Sequence, residues 1–230
     1  MHDVRRIRVW DLPTRLFHWS LALLVVAAVV TGKVGGNLMD WHGRIGLAIV
    51  GLIAFRVVWG LLGSTYARFV SFFPTPARLA AYLRGEWREP GHNPLGALSV
   101  FALLALVAFQ VGSGLVANDD IAFRGPLFDL AGKALSDRAT GLHKGATNLL
   151  FALVALHVAA IVWYARARRE NLVKPMLTGW QERRHGRHAS GGGLAALAVA
   201  LVVAGSAVHA AAGGWLSPPP PPPPAATPAW

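Results

Sequence analysis

The stretch His143-Lys-Gly-Ala-Thr-Asn-Leu-Leu-Phe-Ala-Leu-Val-Ala-Leu-His157 carries most of what can be read from this chain. Past Lys144 it has no charged residue, and it reads as a helix inside a bilayer. Fourteen residues are close to four helical turns. The two rings therefore lie near one face, about 21 Å apart at about 1.5 Å per residue. That distance forbids a shared metal ion. It suits two flat macrocycles at different depths, each held by one histidine of this helix. A histidine in a bilayer is costly and is a functional hypothesis by default. For any single one, the alternative is a neutral ring hydrogen-bonded to a neighbouring helix.

The rest of the sequence supports a membrane setting. Of 230 residues, 54% are hydrophobic and 14% charged, against about 25% charged in soluble domains, and the mean hydropathy is +0.44. So few charges cannot cover a soluble surface. Five stretches meet the requirement of about 20 apolar residues for a span: about 12–34, 43–62, 94–117, 143–166 and 194–212. Asp11 is placed to cap the first, and Pro13 falls in its first turn, where a missing N–H costs nothing. That span is too long for a signal peptide, and no small-residue cleavage site follows it. Arg56 interrupts the second.

The net charge of +11 would suit nucleic acid if the basic residues faced water together. Instead they cluster between apolar runs. Sixteen of the 22 Lys and Arg precede the first span (Arg5 to Arg15), lie in or after the second (Arg56 to Arg88), or follow the fourth (Arg166 to Arg187). The positive-inside rule then predicts a multi-pass protein of the bacterial inner membrane, N-terminus cytoplasmic and C-terminus periplasmic. Lipid is an expected partner and nucleic acid is not.

The chain has no cysteine, which excludes disulfides, iron–sulfur clusters, thiolate zinc sites and covalent c-type haem. Histidine is left as the strong transition-metal ligand. His42 opens the second span at the level of His143, so these two can clamp one haem. His18, in the first span, shares the level of His157, and those two can clamp a second. Both axial positions of each iron are then filled, which favours electron transfer over oxygen chemistry. Gly46 and Gly112 leave room for a flat ring, although small residues also serve plain helix packing. Arg15, Arg44 and Lys144 stand beside the ligands and could pair with haem propionates, or simply anchor the helices at the interface. His2, His92, His185, His188 and His209 fall outside the ligand set.

The expected organisation is a di-haem domain over 1–180, a basic cytoplasmic linker over 181–193, a fifth transmembrane helix over 194–212 and a Pro-rich periplasmic tail over 213–230. The segment from Pro76 to Trp87 places Leu79, Tyr82, Leu83 and Trp87 along one stripe. It reads as a helix in the cytoplasmic interface or as an ordinary connecting helix. Seven consecutive prolines, Pro218 to Pro224, predict an extended polyproline rod.

Four motifs together resemble the bacterial cytochrome b561 family, including the b-type cytochrome subunits of nickel–iron hydrogenases. They are Val9-Trp-Asp-Leu-Pro-Thr-Arg-Leu-Phe-His18-Trp19, Trp41-His42-Gly-Arg-Ile-Gly46, Gly91-His-Asn-Pro-Leu-Gly96 and His143-Lys144 with Leu156-His157. The resemblance spans roughly residues 5–180. It implies an all-α integral membrane protein built as a four-helix di-haem bundle, here with a fifth C-terminal transmembrane helix beyond the family core. Carried over by position, it implies His18, His42, His143 and His157 as axial ligands of two haem b groups. It also implies electron exchange between membrane quinone and a partner redox protein, a periplasmic cytochrome or a dehydrogenase subunit. Such a chain acts as an electron-transfer cytochrome or as the quinone-linked oxidoreductase subunit that anchors a hydrogenase-type complex. A histidine-based metal-ion transporter is the alternative from another class. It would want ligands clustered at one depth together with carboxylates. For the quinone, Asp40, Trp41, Asp119 and Asp120 are candidates near the outer haem.

Overall fold

A computed structural model describes residues 5–183 and 185–216. His2 and the seven prolines of the tail lie outside the described residues. Among those described, five helices are long and apolar enough to cross a membrane, so the chain is an all-α integral membrane protein apart from one small ribbon.

The ribbon is the element that hydropathy does not announce. Strand β1 (Arg5–Arg8) pairs antiparallel with β2 (Trp180–Arg183), Arg5 opposite Arg183 and Arg8 opposite Trp180. The segment expected to be a linker from 181 is therefore strand for its first residues. Two short strands seldom hold alone, and here buried Ile7, Val9 and Trp10 pin the ribbon against Tyr66 and Met176.

Helix α1 (Leu12–Val34) starts where its cap predicts. The Asp11 carboxylate accepts the Thr14 N–H at 2.6 Å, and Pro13 sits in the first turn. After a 3-10 turn at Gly36–Leu38, α2 runs over Met39–Leu62. It begins before residue 43 because Asp40 supplies an acid to its first turn, where the helix dipole favours negative charge. The short helices α3 (Phe69–Phe72) and α4 (Pro76–Leu83) follow. Thr75 caps α4, accepting the Arg78 N–H at 3.3 Å. This helix stops at Leu83 because Gly85 turns left-handed at φ 77°, so Trp87 lies beyond its stripe.

Helix α5 (Pro94–Leu115) is capped by Asn93, which accepts the Gly96 N–H at 2.7 Å. Helix α6 (Phe128–Ala167) is far longer than the apolar stretch from 143. Its chain breaks at Gly132 (φ 70°, ψ 166°) and then continues as one helix. From residue 133 onward that is roughly 50 Å at about 1.5 Å per residue, well beyond the ~30 Å of hydrocarbon. Its first turns therefore project from the bilayer, carrying polar residues hydropathy reads as loop. Lys133 contacts Asp137 one turn on at 2.7 Å and Asp120 at 2.5 Å. Asn118 reaches Ser136 at 2.5 Å.

Short α7 (Val173–Thr178) leads into β2, and α8 (Leu194–Ala211) is the fifth long helix. Helix α8 packs on α2: buried Ala200 joins Phe17, Phe55 and Trp59 in one cluster, and Val208 lies against Gly51. Apolar side chains such as Leu23, Val26 and Val202 cover the outside of the bundle, as lipid contact requires.

Two layers close the bundle. On one face Thr65 donates to the Ser190 carbonyl at 2.9 Å, Ala189 to the Arg8 carbonyl at 2.7 Å, and Tyr66 to the Arg187 carbonyl at 2.8 Å. On the opposite face the loop after α5 pairs Asn118 with Arg124, and Gly213 abuts the Pro126 carbonyl. The five helices thus alternate in direction between the two layers.

Candidate functional site

His42 in α2 and His143 in α6 come together across the bundle. Their rings stand 6.0 Å apart between centroids, at 87° to one another. His42 Nδ1 is 2.8 Å from the Ala28 carbonyl of α1, and His143 Nδ1 is 2.9 Å from the Gln110 carbonyl of α5. A carbonyl only accepts, so each Nδ1 holds the ring proton and donates it. Each Nε2 is then the unprotonated nitrogen, with its lone pair available to a metal. A backbone carbonyl that accepts from the far nitrogen, and so sets tautomer and ring orientation, is the usual support of a metal-bound imidazole.

The spacing fits an iron between the rings. An imidazole–metal bond is about 2 Å, and the centroid lies about 1 Å behind the nitrogen. Two axial imidazoles therefore stand about 6 Å apart.

Around these rings lies a cavity of about 410 Å³, lined by α1, α2, α5 and α6. Val25, Ile49, Val107 and Leu150 make its walls apolar, while Gln110, Thr140 and Thr147 supply polar points. Gln110 donates to Thr147 Oγ1 at 2.9 Å, and Thr147 in turn donates to the His143 carbonyl at 2.9 Å. Apolar walls with a few placed polar groups suit a large, flat, mostly apolar ligand. Two glycines make room for the rings. A Cβ on Gly32 would stand 2.9 Å from His42 Cε1 and Nδ1, and one on Gly114 would stand 3.2 Å from His143 Cε1.

At the other end, His18 of α1 and His157 of α6 lie close to His92, which precedes α5. His92 packs between Trp10 and Phe72, with ring centroids at 4.6 and 4.4 Å. Burial, with Arg56, His18 and His157 near it, pushes His92 down to about 3, so this ring is neutral. The Nδ1 atoms of His18 and His92 are buried without a partner among the described residues.

The flanking residues separate by role. Lys144 and Gly46 line the cavity, with open space where a Gly46 Cβ would be. Gly112 likewise faces open space and lies outside the lining. Arg44 sits over the Trp41 ring at 5.3 Å. Arg15 Nη1 donates to the Leu177 carbonyl, joining α1 to the end of α7. Asp119 lines the cavity mouth, but its Oδ1 already accepts the N–H groups of Ile121, Ala122 and Phe123. These donors, Ile121 first, hold its carboxyl below the usual range.

Gly32, Gln110 and the Ala28 carbonyl escape sequence reading because each acts on a histidine of another helix. Arg56 did leave a signal, as an ionisable residue within an apolar span.

The chain was compared with known proteins. It matches the prokaryotic cytochrome b561 family over residues 9–179, a stretch that includes all four histidines and both ends of the bundle. A probable Ni/Fe-hydrogenase B-type cytochrome subunit of Azotobacter chroococcum mcd 1 is 27% identical, over 76% of this chain and 88% of the relative. One from Rhodobacter capsulatus is 24% identical, over 78% and 84%. No solved structure matches the chain. With the match covering the whole four-helix core, this chain belongs to the prokaryotic cytochrome b561 family.

Proposed function

We propose that the chain conducts electrons across the bacterial inner membrane through two haem b groups. His42 and His143 would hold one, and His18 and His157 the other, linking the membrane quinone pool to a periplasmic redox partner. The coarser part of this follows from the family: the chain is a multi-pass membrane b-type cytochrome of electron transfer.

The observation that carries the finer reading is the His42–His143 pair. Two imidazoles at 6.0 Å, each with Nδ1 given to a carbonyl of a third or fourth helix, support a reading in which both would hold one haem iron between them. Haem supplies one-electron redox chemistry when bound. The protein's share is to orient the rings, exclude water with apolar walls and keep the two levels apart. Ala28 and Gln110 hold the rings in one tautomer, which also makes them better donors to iron. His143 and His157 on one helix fix the separation of the two levels. The basic surplus on the layer of Arg8, Arg68 and Arg168 supports a cytoplasmic placement for that layer and for the N-terminus.

A second reading is favoured by the names of the relatives. Similar chains are termed probable Ni/Fe-hydrogenase B-type cytochrome subunits, and on this reading the chain is the membrane-anchoring cytochrome of a hydrogenase-type dehydrogenase. Co-purification from solubilised membranes separates the two readings: a stable dehydrogenase partner supports the second, a cytochrome that purifies alone the first.

The central test is a haem count with a reduced-minus-oxidised spectrum on purified protein. Two haem b per chain are expected, and folded protein without haem would end the proposal. In His157→Ala one haem is expected to remain, with the spectrum of the His42–His143 site. Retention of both would refute the pairing. A second variant tests the ring pocket. Gly32→Ala drives a methyl into His42 and breaks its bond to Ala28, so haem affinity at that site should fall by about 10–100-fold. Haem retention during dilution with apo-myoglobin measures it.

A further inference from the structure

Arg56 is the one charged side chain of α2 between Arg44 and Leu62, and it is 3% exposed. Its guanidinium lies 4.5 Å from the Phe69 ring centroid and 5.9 Å from that of Phe17. Nη1 is buried and has no hydrogen-bond partner among the described residues. Asp11 is close, but its carboxylate is engaged by the Thr14 N–H, Trp59 Nε1 and Ser64 Oγ. Aromatic faces stabilise a cation, yet they do not satisfy five N–H donors in a fork built for a carboxylate. A buried charge persists when it is paired. Arg56 therefore has a negative charge near it in Asp11 but no acceptor oxygen for its buried Nη1 among the described residues.

The placement says where that oxygen comes from. His18 lies six residues from the start of α1 and Arg56 six residues from the end of α2. In antiparallel helices this is one depth, at the same face of the bundle. His92 stands beside both, with its Nδ1 also unpartnered. A macrocycle on His18 and His157 would bring carboxylates to this level. Arg15, the basic residue nearest His18 in sequence, is less buried than Arg56 and gives Nη1 to the Leu177 carbonyl, although its Nε is also buried without a partner among the described residues.

We propose that Arg56, assisted by His92, binds a propionate of the haem held by His18 and His157. The inference rests on the bis-His reading of that pair. Arg56 then seats the inner haem, and its positive charge raises that haem's reduction potential, since charge beside the cofactor is one of the levers on potential.

The test uses the purified, haem-loaded full chain. Potentiometric titrations of wild type, Arg56→Gln, Arg56→Lys and Arg15→Gln resolve two haems, the inner one identified as that missing from His157→Ala. Arg56→Gln is expected to lower the inner potential and leave the outer one in place. Arg56→Lys should restore most of the shift, and Arg15→Gln, at the less buried arginine, should cause a smaller one. Reduced-minus-oxidised infrared spectra, with haem made from carbon-13-labelled 5-aminolevulinate, report the propionate directly. Its carboxylate band should move in both Arg56 variants, because lysine lacks the two-pronged geometry. Where Arg56→Gln does not accumulate, Arg56→Lys carries the test through that band. A potential that moves without the band, an unmoved inner potential, or equal shifts in both haems would overturn the inference. So would a shift that vanishes when the wild type is delipidated, which would make the anion a lipid phosphate. A wild type holding fewer than two haems would instead refute the bis-His reading beneath it.

Discussion

Replacing His143 by alanine is expected to remove one haem and stop transfer across the membrane, while the haem at His18 and His157 remains bound and reducible by dithionite. The loss should be complete at that site rather than graded. His42 alone would keep its bond to Ala28 but would have no second histidine to share in holding the haem. Six-coordinate low-spin absorption should therefore fall to one haem, with at most a five-coordinate residue from the other. The measurement is a haem count with reduced-minus-oxidised spectra in solubilised membranes, together with quinol-driven reduction of an external acceptor in oriented vesicles. Full haem content in His143→Ala would sink the assignment. Gln110→Ala provides a useful contrast. It keeps the backbone carbonyl that accepts from His143 and removes only the link to Thr147, so both haems should stay.

The second large effect concerns stability. Asp11→Ala removes the cap of α1 and strands two buried donors on α2 and just beyond it. Trp59 Nε1 donates to Asp11 at 3.0 Å, and the Ser64 hydroxyl donates to the same oxygen. Trp59 and Ser64 are both buried. The lost cap costs about 0.5–2 kcal/mol, and each buried donor left unsatisfied about 1–3 kcal/mol. Shared partners make these less than additive, so roughly 2–4 kcal/mol is expected in total. Thermal unfolding in detergent, followed by far-UV circular dichroism, should show a clear drop in Tm. Asp11→Asn keeps one acceptor oxygen and should fall between. An unchanged Tm in the alanine variant would show that the carboxylate does not tie the two helices together. Because Asp11 fixes the end of α1 against the end of α2, the variant should also loosen the haem at His18 before the one at His42.

Asp11 also illustrates what reading along the chain misses. Its position before Leu12 and Pro13 announces a helix cap, because capping is local: the acceptor and the N–H it serves are three residues apart. Its bonds to Trp59 and Ser64 span about fifty residues, and no local pattern encodes them. The same holds for the strand Arg5–Arg8. Four residues beside a long apolar helix carry too little alternation to declare a strand, and its partner at Trp180–Arg183 lies beyond four spans. Helix α6 was legible only in its apolar half. The polar turns from Lys133 to Gly141 follow helical spacing, with Lys133 reaching Asp137 one turn on, but hydropathy is blind to a helix that leaves the bilayer. Two readings of basic residues also divide. Arg15 reads in sequence as a propionate partner beside His18, and only the fold shows that its Nη1 is given to the Leu177 carbonyl while its Nε stays buried and unpartnered among the described residues. Arg56 reads in sequence as a charge interrupting an apolar span, and only the fold shows it buried.

From sequence alone come the membrane setting, the helices in it, their alternating direction and the two histidines four turns apart on one of them. These follow from the cost of polar groups in hydrocarbon and from the fixed rise of a helix, both of which act along the chain. Tertiary structure alone decides which nitrogen of each imidazole is free. That depends on a carbonyl of a different helix lying within hydrogen-bond reach, at Ala28 for His42 and at Gln110 for His143. It also decides which glycines admit the rings and which arginine is left buried with Nη1 unpartnered among the described residues. Such facts belong to the approach of one helix to another, set by packing across the bundle.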